Sequence, residues 1–171
     1  MKKLNSAPID IKKFMTKIKQ MEKGEKLDLS SDEDLSIGIM NLISIEEHLF
    51  FTYNKTKDEK YLDLLNEVRE MRKNALKRII KDYEGEVWCI SKHLLAASMR
   101  LMEVGTKSLT KGNKKEAEEF FQNSYKLYSL FWGLNLKMIE VKDIKQPDLK
   151  EVSILTKLGE IIKSAVDCCK E

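Results

Sequence analysis

The chain has 171 residues, with 31 lysines and arginines against 28 aspartates and glutamates, and its formal net charge is +3. Hydrophobic residues make up 42% of the chain, and it contains only 7 glycines and 2 prolines. This composition excludes a disordered chain, a collagen-like chain and a histone-like polycation. No apolar run approaches the ~18 residues of a membrane span, and the basic N-terminus does not continue into a signal-peptide core. We therefore expect one soluble domain over residues 1–171, without membrane association.

The cysteines suggest a cellular compartment. There are three, Cys89, Cys168 and Cys169, and an odd number without an export signal argues against a disulfide framework. The sequence therefore predicts a protein of the reducing cytoplasm.

Nearly every segment has apolar residues three and four positions apart, as in an amphipathic helix, and none alternates strictly enough to predict a strand. Turn and capping residues divide the chain into predicted helices at about 8–24, 30–53, 58–83, 86–110, 114–141 and 148–169. Because short turns make neighbouring helices antiparallel, we predict an all-α antiparallel bundle of about six helices. Four long helices would be central, flanked by an N-terminal and a C-terminal helix. Among the residues expected to face inward are Ile39, Ile45 and Met71.

One segment resembles a known repeat. Between Leu101 and Ser129 the chain resembles a single tetratricopeptide unit, through Val104, Gly105, Ala117, Phe121 and Ser124. The positions of that family's tryptophan, tyrosine and proline are occupied by Leu101, Ser108 and Ser129. There is no second copy at a period of about 34 residues, and a solenoid needs about three repeats. We interpret the segment as a tight pair of antiparallel helices.

The segment 114–141 is unusually rich in aromatic residues, which form six of the thirteen positions between Phe120 and Trp132. Such a helix is central in its bundle or is buried by a partner. Core packing is one interpretation. The other is a contact surface on helices 86–110 and 114–141 for a protein partner or a second copy, with the anchors Trp88, Tyr125, Tyr128 and Trp132. We expect a non-enzymatic binding protein, because we find neither a glycine-rich phosphate loop nor a nucleophile elbow.

A metal or small-ligand site is an alternative. Cys89 and His93 are four residues apart on one helix, and a bundle could bring Glu47 and His48 to meet them. Ferritin-like di-iron bundles are built in this way, but their Glu-x-x-His motif is missing. The simpler interpretation is a histidine hydrogen-bonded at the edge of the core. The sequence specifies no cofactor.

The charges are unevenly distributed. Residues 31–54 contain five acids and no lysine or arginine, whereas residues 55–83 contain nine cations and six acids. A stripe of cations at four-residue spacing, Arg69, Lys73, Lys77 and Lys81, could bind RNA, DNA or another polyanion, or the acidic segment of this chain. Since 27 of the 31 cations are lysines, which lack the forked guanidinium, nucleic acid is the less favoured partner.

Overall fold

The computed structural model describes residues 30–81, 85–139, 158–160 and 162. Four long helices fill most of this range: α1 (Ser30–Thr56), α2 (Lys60–Ile79), α3 (Glu86–Thr110) and α4 (Lys114–Asn135). Residues 158–160 and 162 are also helical, and the described part of the chain contains no strand. The all-α fold is confirmed. The predicted N-terminal helix lies outside the described residues, and the predicted helix 148–169 is described at four positions only.

The four helices form two antiparallel hairpins. α1 packs along α2, and α3 packs along α4, whereas α1 and α3 share a much shorter contact. Ser36 of α1 is hydrogen-bonded to Tyr128 of α4, and Glu47, three turns further along α1, reaches Arg100 of α3. This order places the α1–α2 turn and the α3–α4 turn at the same end of the bundle, here called the turn end.

The α3–α4 hairpin is tightly packed. A Cβ atom on Gly105 would lie 2.6 Å from Cε1 of Phe121, so only glycine allows this approach. The hydroxyl of Ser98 donates to the carbonyl of Ser124 at 2.9 Å, and the hydroxyl of Ser124 donates to the carbonyl of Ser98 at 2.7 Å. The predicted tight pair of helices between residues 101 and 129 is confirmed.

The hydrophobic core lies at the end opposite the turns. Its buried members come from all four helices and from the C-terminal helical residues; they include Ile39, Met40, Leu76, Ile79, Leu95, Phe131, Trp132, Leu158 and Ile162. The residues just after α4 complete it, because Met138 and Ile139 are buried as well. None of the described helices has the length and apolar composition needed to cross a membrane.

Two residues expected to face inward do not. Ile45 is exposed, and Met71 is 59% exposed. On α1 the core-facing side contains Ser36, Ile39 and Met40, which places Ile45 on the opposite side of the helix. On α2 the corresponding positions belong to Arg72 and Leu76.

Two helices end earlier than predicted. The predicted helix 58–83 ends at Ile79, and Ile80 is extended and buried. In a continuing helix these two consecutive isoleucines would point about 100° apart, whereas in the structure both are buried. The predicted helix 114–141 ends at Asn135. Lys137 there adopts a left-handed conformation (φ 55°), and the N–H of Met138 donates to the carbonyl of Gly133 at 2.8 Å. This Schellman motif turns the chain so that Met138 is buried.

Candidate functional site

Two adjacent acids of α1 bind arginines of two different helices. Glu46 pairs with Arg72 of α2, whose Nε lies 2.5 Å from the Glu46 carboxylate. The Arg72 side chain is 3% exposed and that of Glu46 is 15% exposed, so the pair is largely removed from water. A buried charge needs such a partner, and this one fixes α2 against α1.

Glu47 makes the corresponding contact between the two hairpins. Its carboxylate pairs with the guanidinium of Arg100 on α3, and Arg100 also pairs with Glu103 at 2.6 Å. Both Glu47 and Arg100 are exposed, so solvent screens this ion pair. The acidic segment 31–54 thus has cationic partners within the chain, but neither Arg72 nor Arg100 belongs to the predicted cationic stripe.

The part of the α1–α2 hairpin nearer the turn end is called the arm, defined here as residues 41–71, and it includes Glu46 and Glu47. No side chain of the arm is buried. Among the described residues ten large hydrophobic side chains are exposed, and six of them belong to the arm: Ile45, Phe50, Phe51, Leu62, Leu64 and Met71. These six residues are called the arm surface below.

The core-facing sides of α1 and α3 also extend toward the turn end. On α1, Phe50 follows Ile39 and Ile43 at helical spacing, but it is 52% exposed. On α3, Leu95, Met102 and Leu109 are seven residues apart; Leu95 is buried, and the other two are exposed. Along these two stripes, positions that are buried at the core end lie open to solvent at the turn end, whereas Ser98, Gly105 and Ser108 of α3 stay buried.

The four predicted anchors on α3 and α4 differ in exposure. Trp132 is 1% exposed and Tyr128 is 9% exposed, and both belong to the hydrophobic core, as the core-packing interpretation expects; partner binding by these residues stays a prediction. Their rings contact each other edge to face, with centroids 6.2 Å apart. Trp88 is partly buried against the core, and Tyr125 is exposed but donates its hydroxyl to the carbonyl of Gly159 at 2.8 Å.

A buried tyrosine joins the hairpins at the core end. The Ser36 hydroxyl donates to the carbonyl of Glu33 at 2.7 Å, and its oxygen lies 2.8 Å from the Tyr128 hydroxyl. Because a serine hydroxyl has one proton, this arrangement makes Tyr128 the donor to Ser36. Burial raises the pKa of Tyr128, so this contact keeps its proton at any pH up to the ordinary range of tyrosine.

The four predicted metal ligands are exposed and are not assembled into a site. Glu47 is paired with Arg100, and His48, Cys89 and His93 are exposed. Within the described ranges no group of three or more histidine, cysteine, aspartate or glutamate residues is placed to hold a metal ion.

Three residues of the cationic stripe, Arg69, Lys73 and Lys77, lie on α2, whereas Lys81 follows the end of that helix. Arg69, Lys77 and Lys81 are exposed. Lys73 pairs with Glu70 one turn away at 2.7 Å, and the Lys81 ammonium donates to the carbonyl of Arg78. Binding of a polyanion by this stripe stays a prediction.

Arg72 and Phe50 are not among the predicted site residues, although the sequence pattern around each of them is unusual. Arg72 lies four residues after Val68 and four before Leu76, so a charge interrupts an apolar stripe and requires a buried acid nearby. Phe50 and Phe51 are consecutive aromatic residues on one helix, and both cannot face the same core.

Comparisons of this chain with protein-family models, with curated proteins and with solved structures found no match. Functional inference therefore depends on the arrangement of its own residues.

Proposed function

We propose that this chain is a protein-binding helical bundle that contacts its partner through the arm surface. The observation that carries the proposal is the concentration of exposed large hydrophobic side chains on an arm without a single buried residue. Exposed hydrophobic residues scattered singly are ordinary, but Phe50 and Phe51 have ring centroids 5.3 Å apart, and exposed apolar side chains grouped in this way are typical of interaction sites.

The apolar area that the arm surface still exposes could contribute to the free energy of binding. Burying a phenylalanine or leucine completely contributes about 1.5–3 kcal/mol, and each residue of the arm surface has roughly half of its area still to bury. A partner that covers three or four of these side chains would gain about 2–6 kcal/mol from them, which offsets part of the cost of association. The core end provides the rigid base from which the arm projects.

The first experiment locates the contact. A photo-crosslinking amino acid is placed at Phe51 on the arm and, in a second protein, at Gln122, an exposed position of α4. Each protein is irradiated in the cells that produce it. We expect a discrete adduct from position 51 and none from position 122, and the mass of the adduct distinguishes a second copy from another protein.

The second experiment measures the affinity for the partner so identified. Phe51→Ser combined with Leu64→Ser is expected to weaken binding at least tenfold, whereas Leu109→Ser changes it less than twofold. Leu109 is the matched control because its side chain is similarly exposed but belongs to the other hairpin. Equal cross-linking at both positions, or equal weakening by Leu109→Ser, would contradict the proposal.

A further inference from the structure

We propose that the Glu47–Arg100 ion pair is a reversible latch that holds the two hairpins together at their turn end. When the latch opens, the α1–α2 hairpin swings away from α3, and the packed core end serves as the pivot. This motion belongs to the chain alone and does not depend on the proposed binding function.

The position of the ion pair supports this inference. On α1 the last buried side chain is Met40, and the bridge from Glu47 lies about two turns beyond it. On α3 the buried Leu95 and Ser98 precede Arg100, Met102 after it is exposed, and the buried Gly105 packs on Phe121 of α4, within the same hairpin. The bridge thus joins the hairpins beyond the last buried side chain of α1.

The contacts within each hairpin are firmer than the contact between the two hairpins. α3 and α4 are joined through Gly105 and Phe121 and through the reciprocal hydrogen bonds of Ser98 and Ser124. α1 and α2 are joined through the buried Glu46–Arg72 pair. Buried contacts therefore hold together the two helices of each hairpin, whereas an exposed ion pair joins the two hairpins. Moving one hairpin relative to the other costs less free energy than separating the helices within either hairpin.

The ion pair of the latch is weak enough to open and close reversibly. Exposed ion pairs contribute little to stability and weaken as salt rises, so thermal motion opens them readily. Buried core side chains at the pivot change their packing only at a much larger cost.

The test measures the distance between the two turns by electron paramagnetic resonance. Nitroxide labels are attached at Lys55→Cys and Lys114→Cys, both exposed positions, in a full-length chain whose native cysteines, Cys89, Cys168 and Cys169, are replaced by serine. We expect one narrow distance distribution at low salt. Glu47→Arg should increase the population of longer distances about fivefold, because it replaces attraction to Arg100 by repulsion.

Two further variants make the result decisive. Glu47→Arg combined with Arg100→Glu restores the opposite charges and should return the distribution to that of the parent chain. Glu70→Arg, which breaks the exposed Glu70–Lys73 pair within α2, is the matched control and should leave the distances unchanged. The latch is overturned if Glu47→Arg leaves the distances unchanged, if the charge swap fails to restore them in a chain with native helix content, or if Glu70→Arg lengthens them equally.

Discussion

Arg72 and Glu46 form an ion pair in which the cation is almost fully buried while its carboxylate partner still touches solvent. The guanidinium occupies a core-facing position of α2, directly before the buried Leu76 in the same helical ridge. The pair fixes α2 against α1, and on α2 its arginine comes directly after the arm.

Removing one partner of this pair should be far more harmful than removing both. We expect Glu46→Leu to lower the free energy of unfolding by about 3 kcal/mol, because it leaves the Arg72 charge buried and unpaired. Glu46→Leu combined with Arg72→Met should come within about 1 kcal/mol of the parent chain, since no buried charge remains. Urea denaturation followed by circular dichroism measures both values. Two variants of equal stability would show that Arg72 finds another partner or reaches water.

Gly105 and Gly38 should respond in opposite directions to the same substitution. Gly105→Ala would place a methyl group 2.6 Å from the ring of Phe121, and we expect a loss of about 1–3 kcal/mol from overpacking. Around Gly38, also within a helix, a Cβ would have no neighbour within 4 Å, so Gly38→Ala should gain about 0.5–1 kcal/mol through helix propensity. Thermal denaturation of the two variants checks the sign of each change, and a stabilising Gly105→Ala would refute the close packing of α3 and α4.

Gly112 closes α3 in a left-handed conformation with φ +81°. The N–H of Asn113 donates to the carbonyl of Ser108 at 2.9 Å, which completes a Schellman motif. Gly112→Ala should cost about 1 kcal/mol from backbone strain alone, because no atom lies within 4 Å of the added methyl group. Gly112→Asn should cost less, since asparagine tolerates this conformation. Chemical denaturation would contradict this if the two variants were equally stable.

Stability should decline with rising pH above about pH 10, in part because of Tyr128. Burial raises the pKa of Tyr128 above its ordinary value of 10.0, so the unfolded chain releases this proton at a lower pH than the folded chain. The stabilising contribution is complete below the unfolded pKa and is lost as the pH rises through the folded pKa. Tyr128→Phe should therefore show a shallower loss between pH 10 and 11, at a cost of about 1 kcal/mol at neutral pH for the hydrogen bond to Ser36.

Comparing the parent chain with Tyr128→Phe separates the effect of Tyr128 from that of other groups that titrate in the same pH range. Tyr125, whose pKa burial also raises, is present in both, so its own desolvation affects both profiles. Unfolding free energies of the parent and variant chains are measured by denaturant titration at several pH values. Parallel profiles would show that Tyr128 ionises as easily in the folded chain as in the unfolded one.

Much of the fold follows from local sequence pattern. The bounds 86–110 predicted for one helix coincide with those of α3, because turn residues adjoin both of its ends. The start of α4 at Lys114 follows from Lys111, Gly112 and Asn113 in the same way. The end of α4 did not follow, since apolar residues continue beyond Asn135 and periodicity alone cannot distinguish a helix from a buried Schellman turn.

The candidate site was less accessible from sequence. The aromatic residues of 114–141 indicated either a core or a surface, and the structure places Tyr128 and Trp132 in the core. A helix pattern gives the direction in which a side chain points but not which neighbour covers it. For the same reason the exposure of Phe50, Leu64 and Met71 could not be foreseen.

By itself, the sequence determined that this chain is helical, where most of its central helices begin, and that its charge is divided between an acidic and a basic segment. Spacing, caps and composition act over a few residues, so they can be read directly along the chain. Only the tertiary structure decided that Glu46 and Glu47 divide between Arg72 and Arg100, and that the buried side chains of α1 end at Met40. Those partners lie 26 and 53 residues away, and which of them meet depends on how the hairpins pack together.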